Sequence, residues 1–302
     1  MMRTKQTFTL LALSALMAGA SFHVQAGEFA FGSGTLNVQG GLLGFETEIN
    51  APVTTYTVKE HHADIFSSNW FYNYQLAYYS SPNLTSNGGT TPTAIAGDLL
   101  LSSIDYEFAG FDGQLTLGYD LYKKGPFDYV GLGVSLGIAT PYLKNNDGGS
   151  DEESGEESES DSLLGGGSTT DLIASTTEFF GYKVGPKIMA SKSFGKYASF
   201  FAEASYAWQT MRVENTAINL STDVNGTYLS YGMGMRYQPI STKKDLGFIT
   251  LEPALYMTFG VNYAQLLLND LQVDLSGNDF ALDDTKLNMS STTLYVGLGY
   301  AF

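Results

Sequence analysis

The chain is 302 residues long, contains no cysteine and carries a formal net charge of −16. Hydrophobic residues make up 43%, aromatics 14% and charged residues only 15%, with 20 Tyr, 19 Phe and 34 Gly. Disulfide scaffolds, thiol chemistry and cysteine-ligated metals are excluded; an acidic balance disfavours nucleic acid, which needs clustered Lys and Arg; and this density of aromatics argues against general disorder.

Residues 1–26 read as a secretory signal peptide. Arg3 and Lys5 make a basic start, an apolar core runs from Phe8 to Ala18, and Val24-Gln25-Ala26 offers small residues for cleavage before Gly27. The apolar core is too short to cross about 30 Å of hydrocarbon as a helix. After Gly27 no run approaches the roughly 18–20 consecutive apolar residues that a membrane helix needs.

The mature chain, 27–302, is dominated by alternation with period two, the signature of strands with one apolar face. A first strand is predicted near 33–46 and a long one near 60–80, where Trp70, Tyr72, Tyr74, Leu76 and Tyr78 oppose Asn73 and Gln75. Strands near 98–109 and 113–123 follow. In the first, Ile104, Tyr106 and Phe108 oppose Asp105 and Glu107; in the second, Leu115, Leu117, Tyr119 and Leu121 oppose Gln114, Thr116 and Asp120. A strand near 128–140 sets Leu132, Val134, Leu136 and Ile138 against glycines and Ser135.

The segment 145–168 is different: acidic residues among Gly and Ser with no apolar ballast, read as a disordered, hydrated external loop whose spacing matches no EF-hand. Strands resume near 174–194, 197–211, 225–238 and 247–261. They place Lys183 and Lys187, then Glu203, then Arg236, then Glu252 on the faces opposite the large apolar residues.

The last strand, near 290–302, carries Leu294, Val296, Leu298, Tyr300 and Phe302 against Gly297, Gly299 and Ala301. With its aromatic terminus it resembles the terminal strand of Gram-negative outer-membrane β-barrels, in which the closing aromatic is part of the signal read by the barrel-assembly machinery; Tyr300 and Phe302 match that pattern. The resemblance covers most of the mature chain by pattern alone. It implies an all-β fold, a transmembrane antiparallel up-and-down barrel in the outer membrane, with lipid and the assembly machinery as partners.

Sheets packed face to face could also use such strands. The barrel is favoured by segments of about 9–15 residues, longer than usual strands, by aromatics near segment ends, and by inner faces rich in Gly, Ser and Thr. Short periplasmic turns at 123–127, 195–196 and 239–245, with external segments 141–173 and 262–289, give about ten strands; eight and twelve are the alternatives. The stretch 81–97 then becomes an unusually long periplasmic turn.

Asp105, Glu107, Asp120, Lys183, Lys187, Glu203, Arg236 and Glu252 are therefore the lumen-lining candidates. Mixed charges there serve either a lumen plugged by ion pairs or a narrow watery passage. Only His61 and His62 follow the signal segment, and adjacent strand residues point to opposite faces. No enzyme is expected, and with no P-loop, Rossmann or zinc spacing, no cofactor or metal. The expected function is a narrow passive channel or binding barrel for small solutes; the alternative is a surface adhesin or structural membrane protein acting through its external loops.

Overall fold

A computed structural model describes residues 26–42, 45–65, 68–84, 106–124, 128–145, 176–195, 197–215, 220–239, 244–245, 250–251, 255–269, 272–275, 278–281 and 286–301. In chain order the strands are β1 (Ala26–Leu42), β2 (Phe45–Ile65), β3 (Trp70–Leu84), β4 (Tyr106–Lys123), β5 (Tyr129–Asn145), β6 (Thr176–Phe194) and β7 (Ala198–Asn215). They continue with β8 (Leu220–Tyr237), β9 (Lys244–Asp245), β10 (Thr250–Leu251), β11 (Leu255–Asn269), β12 (Gln272–Leu275), β13 (Asn278–Ala281) and β14 (Lys286–Ala301). Ten of them close into an antiparallel barrel in the order β1-β14-β11-β8-β7-β6-β5-β4-β3-β2, while β9 pairs with β10 and β12 with β13. The closing seam runs from Ala26↔Ala301 to Gly41↔Lys286, so the barrel has no open sheet edge and the backbone is satisfied within the wall.

The predicted count of ten is met through two offsetting differences. What reads as one strand over 60–80 contains the end of β2, a turn and the start of β3. Ser68 makes that turn, its N–H and hydroxyl both donating to the Ile65 carbonyl and its Oγ accepting from Trp70 N–H. Conversely, the segments predicted near 98–109 and 113–123 are one strand, β4. Gly110-Phe111-Asp112-Gly113 has turn composition, yet Gly110 is there for close approach: a Cβ on it would lie 2.6 Å from Pro141 Cα and 2.9 Å from Tyr79 Oη. The stretch 81–97 is then no periplasmic turn, because β3 ends at Leu84 on the far side of the barrel. The predicted strand near 247–261 is shifted: β11 begins at Leu255, and Thr250–Leu251 belong to the small β9–β10 ladder. Residues 1–25 and 146–175, which hold nearly all of the predicted signal peptide and the acidic loop, lie outside the described residues.

One end of the barrel carries Ala26, Ala301 and the connections 66–69, 124–128, 195–197 and 238–254. The other carries 43–44, 85–105, 146–175, 216–219 and 270–285. The first is the short-turn end; its tightest corner uses Gly195 at φ 67°, a conformation that glycine adopts without strain.

Over the short-turn half of every long strand, large apolar side chains point outward. Leu132, Val134, Leu136 and Ile138 on β5, Phe180 to Ile188 on β6, and Leu294, Val296 and Leu298 on β14 are all exposed, Leu294 at 70%. Trp70, Tyr119, Tyr122, Tyr197 and Tyr237 ring its lower edge, and Tyr56, Phe111, Tyr182 and Trp208 its upper edge. A continuous belt of this kind, on strands longer than the roughly 9–11 residues needed to span, is a bilayer-facing surface.

Above the belt the pattern inverts. On β7, Thr210, Arg212 and Glu214 point outward while Met211 and Val213 turn inward; on β8, Ser221, Asp223 and Asn225 are outward and Val224 inward. The outer surface there is stitched by polar cross-strand pairs: Asn37–Asn50 at 2.8 Å, Thr210–Asn225 at 3.0 Å, Gln265–Asn288 at 3.0 Å and Arg212–Ser221 at 3.1 Å. The barrel thus stands above the membrane as a collar built like a soluble barrel, polar outside and apolar inside.

Candidate functional site: the lumen

Side chains fill the lumen in layers. At the short-turn end, the Phe71 ring reaches across the wall, close enough that a Cβ on Gly118 would fall 2.3 Å from its Cζ. His61 lies against it, ring centroids 5.3 Å apart, and stacks on Tyr129 at 5.4 Å and 10°. Arg236 is held between the rings of Phe201 and Tyr256, at 5.0 and 5.4 Å. Tyr256 lies over Gly299, Glu28 accepts from Thr258 Oγ1 at 3.1 Å, and Asp120 is buried beside Gly131.

At mid-height the lumen is crossed by an ion-paired bar. Glu203 on β7 receives Lys59 of β2 at 2.7 Å and Lys187 of β6 at 3.1 Å. β2 and β7 stand diametrically opposite in the ten-strand ring, so this contact ties the barrel across its full width. Lys187 also donates to Gln114 Oε1 at 3.3 Å, and Gln114 in turn to Ser205 at 3.4 Å. A second pair, Lys183–Asp112, passes over Gly137, with the Lys183 ammonium 3.8 Å from the Tyr228 ring centre. Lys183 and Lys187 are almost wholly buried and the Lys59 side chain is 14% exposed, so the carboxylates are what keep the charges tolerable inside the wall.

Apolar side chains line the collar. Leu36, Ala51, Val53, Phe108 and Met289 form one buried cluster and Ala139, Met211, Val213, Val224 and Leu268 a second. Between this apolar cap and the ion-paired bar lies a cavity of about 160 Å³, with Leu36, Val53, Phe108, Met211 and Met289 above and Asp112, Gln114, Lys187, Glu203 and Gln209 among its polar lining. A smaller space of about 50 Å³ lies below the bar, against His61, Tyr129, Arg236 and Tyr256.

Of the predicted lining residues, Asp120, Lys183, Lys187, Glu203 and Arg236 face the lumen. Lys187 and Glu203 meet directly; Lys183 pairs higher up, and Asp120 and Arg236 sit below. Glu107 faces outward instead, where Tyr142 Oη donates to it at 3.4 Å, and Phe108 takes the inward place. The continuity of β4 fixes this: outward Leu115, Leu117 and Tyr119 carry the odd parity back through Phe111 to Glu107. Asp105, Glu252 and Phe302 lie outside the described residues; Tyr300 pairs with Gly27 and Leu255. His62 points outward, stacked on Tyr72 at 4.3 Å and 3.3 Å from Glu60.

Sequence reasoning missed Glu28, Lys59, Asp112 and Gln209. Glu28 and Lys59 face each other across the β1–β2 ladder, a hairpin whose strands were bounded too narrowly. Asp112 sat in the supposed turn. Gln209, being neutral, gave no charge to notice.

No family model matches the chain, and no curated protein does. Among solved structures, the chain is similar to the outer membrane protease OmpT from Escherichia coli, at 10% identity and a TM-score of 0.47, covering 94% of this chain and 99% of that one. It is similar also to the translocator domain of the autotransporter NalP from Neisseria meningitidis (13%, TM-score 0.36, 99% and 96% covered). The toluene transporter TodX of Pseudomonas putida matches at 11% identity and a TM-score of 0.29, with 96% and 93% covered. None of the three is similar enough to lend this chain its activity.

Proposed function

We propose that the chain is an outer-membrane barrel of a Gram-negative cell that holds a small solute in a closed lumen. It acts as a binding barrel, not an open pore, and not as an enzyme. Lipid meets it at the belt, and the assembly machinery at its last strand. The observation that carries this reading is the cavity lying between two groups of opposite chemistry: the Lys59–Glu203–Lys187 bar beneath and the apolar collar residues above. An apolar constriction resists wetting, and a buried ion-paired one resists passage of further ions, so ionic conduction is blocked twice. A mixed apolar and polar cavity with a few convergent polar groups is the usual form of a small-molecule site. A non-enzymatic role fits the placement of the histidines, His61 locked between rings inside the wall and His62 outside it.

Reconstitution into planar bilayers tests this. The folded protein should give no discrete conductance steps in simple salt at moderate voltage. Reproducible steps in the unmodified protein would contradict a closed lumen and favour a passive channel.

A further inference from the structure

We infer that the cavity takes a neutral small molecule with an apolar body and a single hydroxyl, the hydroxyl held by the side-chain amide of Gln209; this rests on the binding reading above. The argument begins with charge. The charged residues lining the cavity are Asp112, Lys187 and Glu203, and each is already ion-paired, Asp112 with Lys183 and Glu203 with both Lys59 and Lys187. A charged guest would have to compete with these pairs for a counter-ion, and burying an uncompensated ion there is costly.

The charged groups at the cavity wall, with Gln114 and Ser205, are already engaged. Lys187 is bonded to Glu203 and Gln114, Asp112 to Lys183, and Gln114 to Ser205. Gln209 stands apart from these: it is only 4% exposed, lines the cavity, and its Oε1 has no hydrogen-bond partner among the described residues. A buried amide oxygen left without a partner is an unfavourable state that a donor relieves. A hydroxyl both donates and accepts, so it matches either orientation of the amide. A carboxylate offers no donor, and an ammonium no acceptor.

The remainder of the guest must be apolar. The cavity's collar side is lined by Leu36, Val53, Phe108 and Met289 of one apolar cluster and Met211 of the other, a surface that a neutral molecule meets far more readily than an ion. The size suits one ring or a short chain, since a cavity of about 150 Å³ is known to take up benzene.

The test uses the full barrel in lipid nanodiscs, with empty nanodiscs as the partition blank, titrated calorimetrically with four near-isosteres: benzyl alcohol, ethylbenzene, benzoate and benzylammonium. Benzyl alcohol is expected to bind about fivefold more tightly than ethylbenzene, the worth of one net hydrogen bond. The two ions should bind at least about tenfold more weakly. In Gln209→Met the preference for benzyl alcohol over ethylbenzene should fall to about one, while ethylbenzene itself still binds. Equal binding of the two neutral probes to the unmodified protein, or tightest binding of either ion, overturns the inference and leaves the binding barrel standing. Failure of all four to bind overturns both. Because the four probes are compared on the unmodified protein, the outcome does not depend on the variant folding.

Discussion

Removing the Glu203 carboxylate should be the most damaging single change in the lumen. In Glu203→Ala two ammonium groups lose the carboxylate they share, with their side chains 14% and 3% exposed. Stripping one partner from a buried ion pair costs about 3–5 kcal/mol. The lower end applies here. Lys187 keeps the Gln114 oxygen at 3.3 Å, Lys59 keeps Glu28 directly across the β1–β2 ladder, and the adjoining cavity gives water a place to enter. A loss of about 3 kcal/mol, with a urea slope of about 3 kcal/mol/M, moves the unfolding midpoint down by about 1 M. The assay is reversible urea unfolding in lipid vesicles, followed by tryptophan emission and by the heat-dependent gel mobility of folded barrels. Glu203→Gln, which keeps the volume and one acceptor, should lose less. Adding Lys187→Met to Glu203→Ala should recover part of the loss, because a stranded charge leaves with it; the two changes then fail to add. Replacing all three groups by Met and Leu should come out near neutral, since well-packed apolar substitutes often match a buried ionic group. If Glu203→Ala stays within about 0.5 kcal/mol of the parent, as an ordinary surface change would, the bar is not a structural tie across the barrel.

Three further outcomes follow from the same geometry. Leu136→Arg, at an outward position 59% exposed in mid-belt, should cost about 2–4 kcal/mol in lipid; Thr210→Arg on the polar collar should change stability by less than about 0.5 kcal/mol, and equal effects at the two sites would erase the distinction between belt and collar. Gly299→Ala puts a Cβ 2.1 Å from the Tyr256 ring and should cost about 2 kcal/mol by overpacking; adding Tyr256→Ala should relieve that clash, so a strictly additive double variant counts against it. In the β4–β5 turn, hydrogen bonds from the Ser193 hydroxyl and backbone N–H, with Lys192 Nζ at 3.3 Å, hold the Asp128 carboxyl below the usual carboxylate range. Because the folded value is depressed, this stabilisation is whole above the ordinary value of 3.8 and is lost as pH falls through the lower folded value; Asp128→Asn should weaken the barrel at neutral pH and flatten its acid limb, and an unchanged acid profile would refute the assignment.

The barrel was legible because its period-two signal is strong wherever lipid lies on one side and packed lumen on the other. Leu115 to Leu121, Leu132 to Ile138 and Leu294 to Leu298 are read correctly from sequence alone, down to which residues face inward. Two local signals misled. Gly110-Phe111-Asp112-Gly113 has the composition of a turn, but its glycines serve close packing; once β4 was split there, nothing tied the parity of 98–109 to that of 113–123, and Glu107 and Phe108 exchanged faces. Around Ile65–Trp70 the reverse occurred, since Ser67-Ser68-Asn69 lies between apolar residues that continue the alternation. The collar was hidden for a more physical reason. Where a strand leaves the bilayer, outside becomes water, so the apolar parity switches: Trp208 faces lipid, Met211 and Val213 face the lumen. The alternation persists through the switch, and only the solvent outside reveals it. The lumen was half legible for the same reason its chemistry is balanced: charges stand out in a sequence, whereas the neutral Gln209 does not.

Everything rests on the belt touching acyl chains, and the chain's two tryptophans, Trp70 and Trp208, report on it directly. Both point outward, 44% and 60% exposed, near opposite edges of the belt. From the strand rise and a barrel tilt near 40°, the eight residue steps from Phe200 to Trp208 climb about 20 Å, close to the height of a barrel's apolar band. Refolded into vesicles of bromine-labelled lipid, the protein should show strong quenching of both residues, greater for bromines near the headgroups than for those at the bilayer centre, and little quenching by aqueous iodide. Emission untouched by brominated acyl chains but quenched by iodide would contradict the account, because the apolar faces would then be meeting something other than lipid.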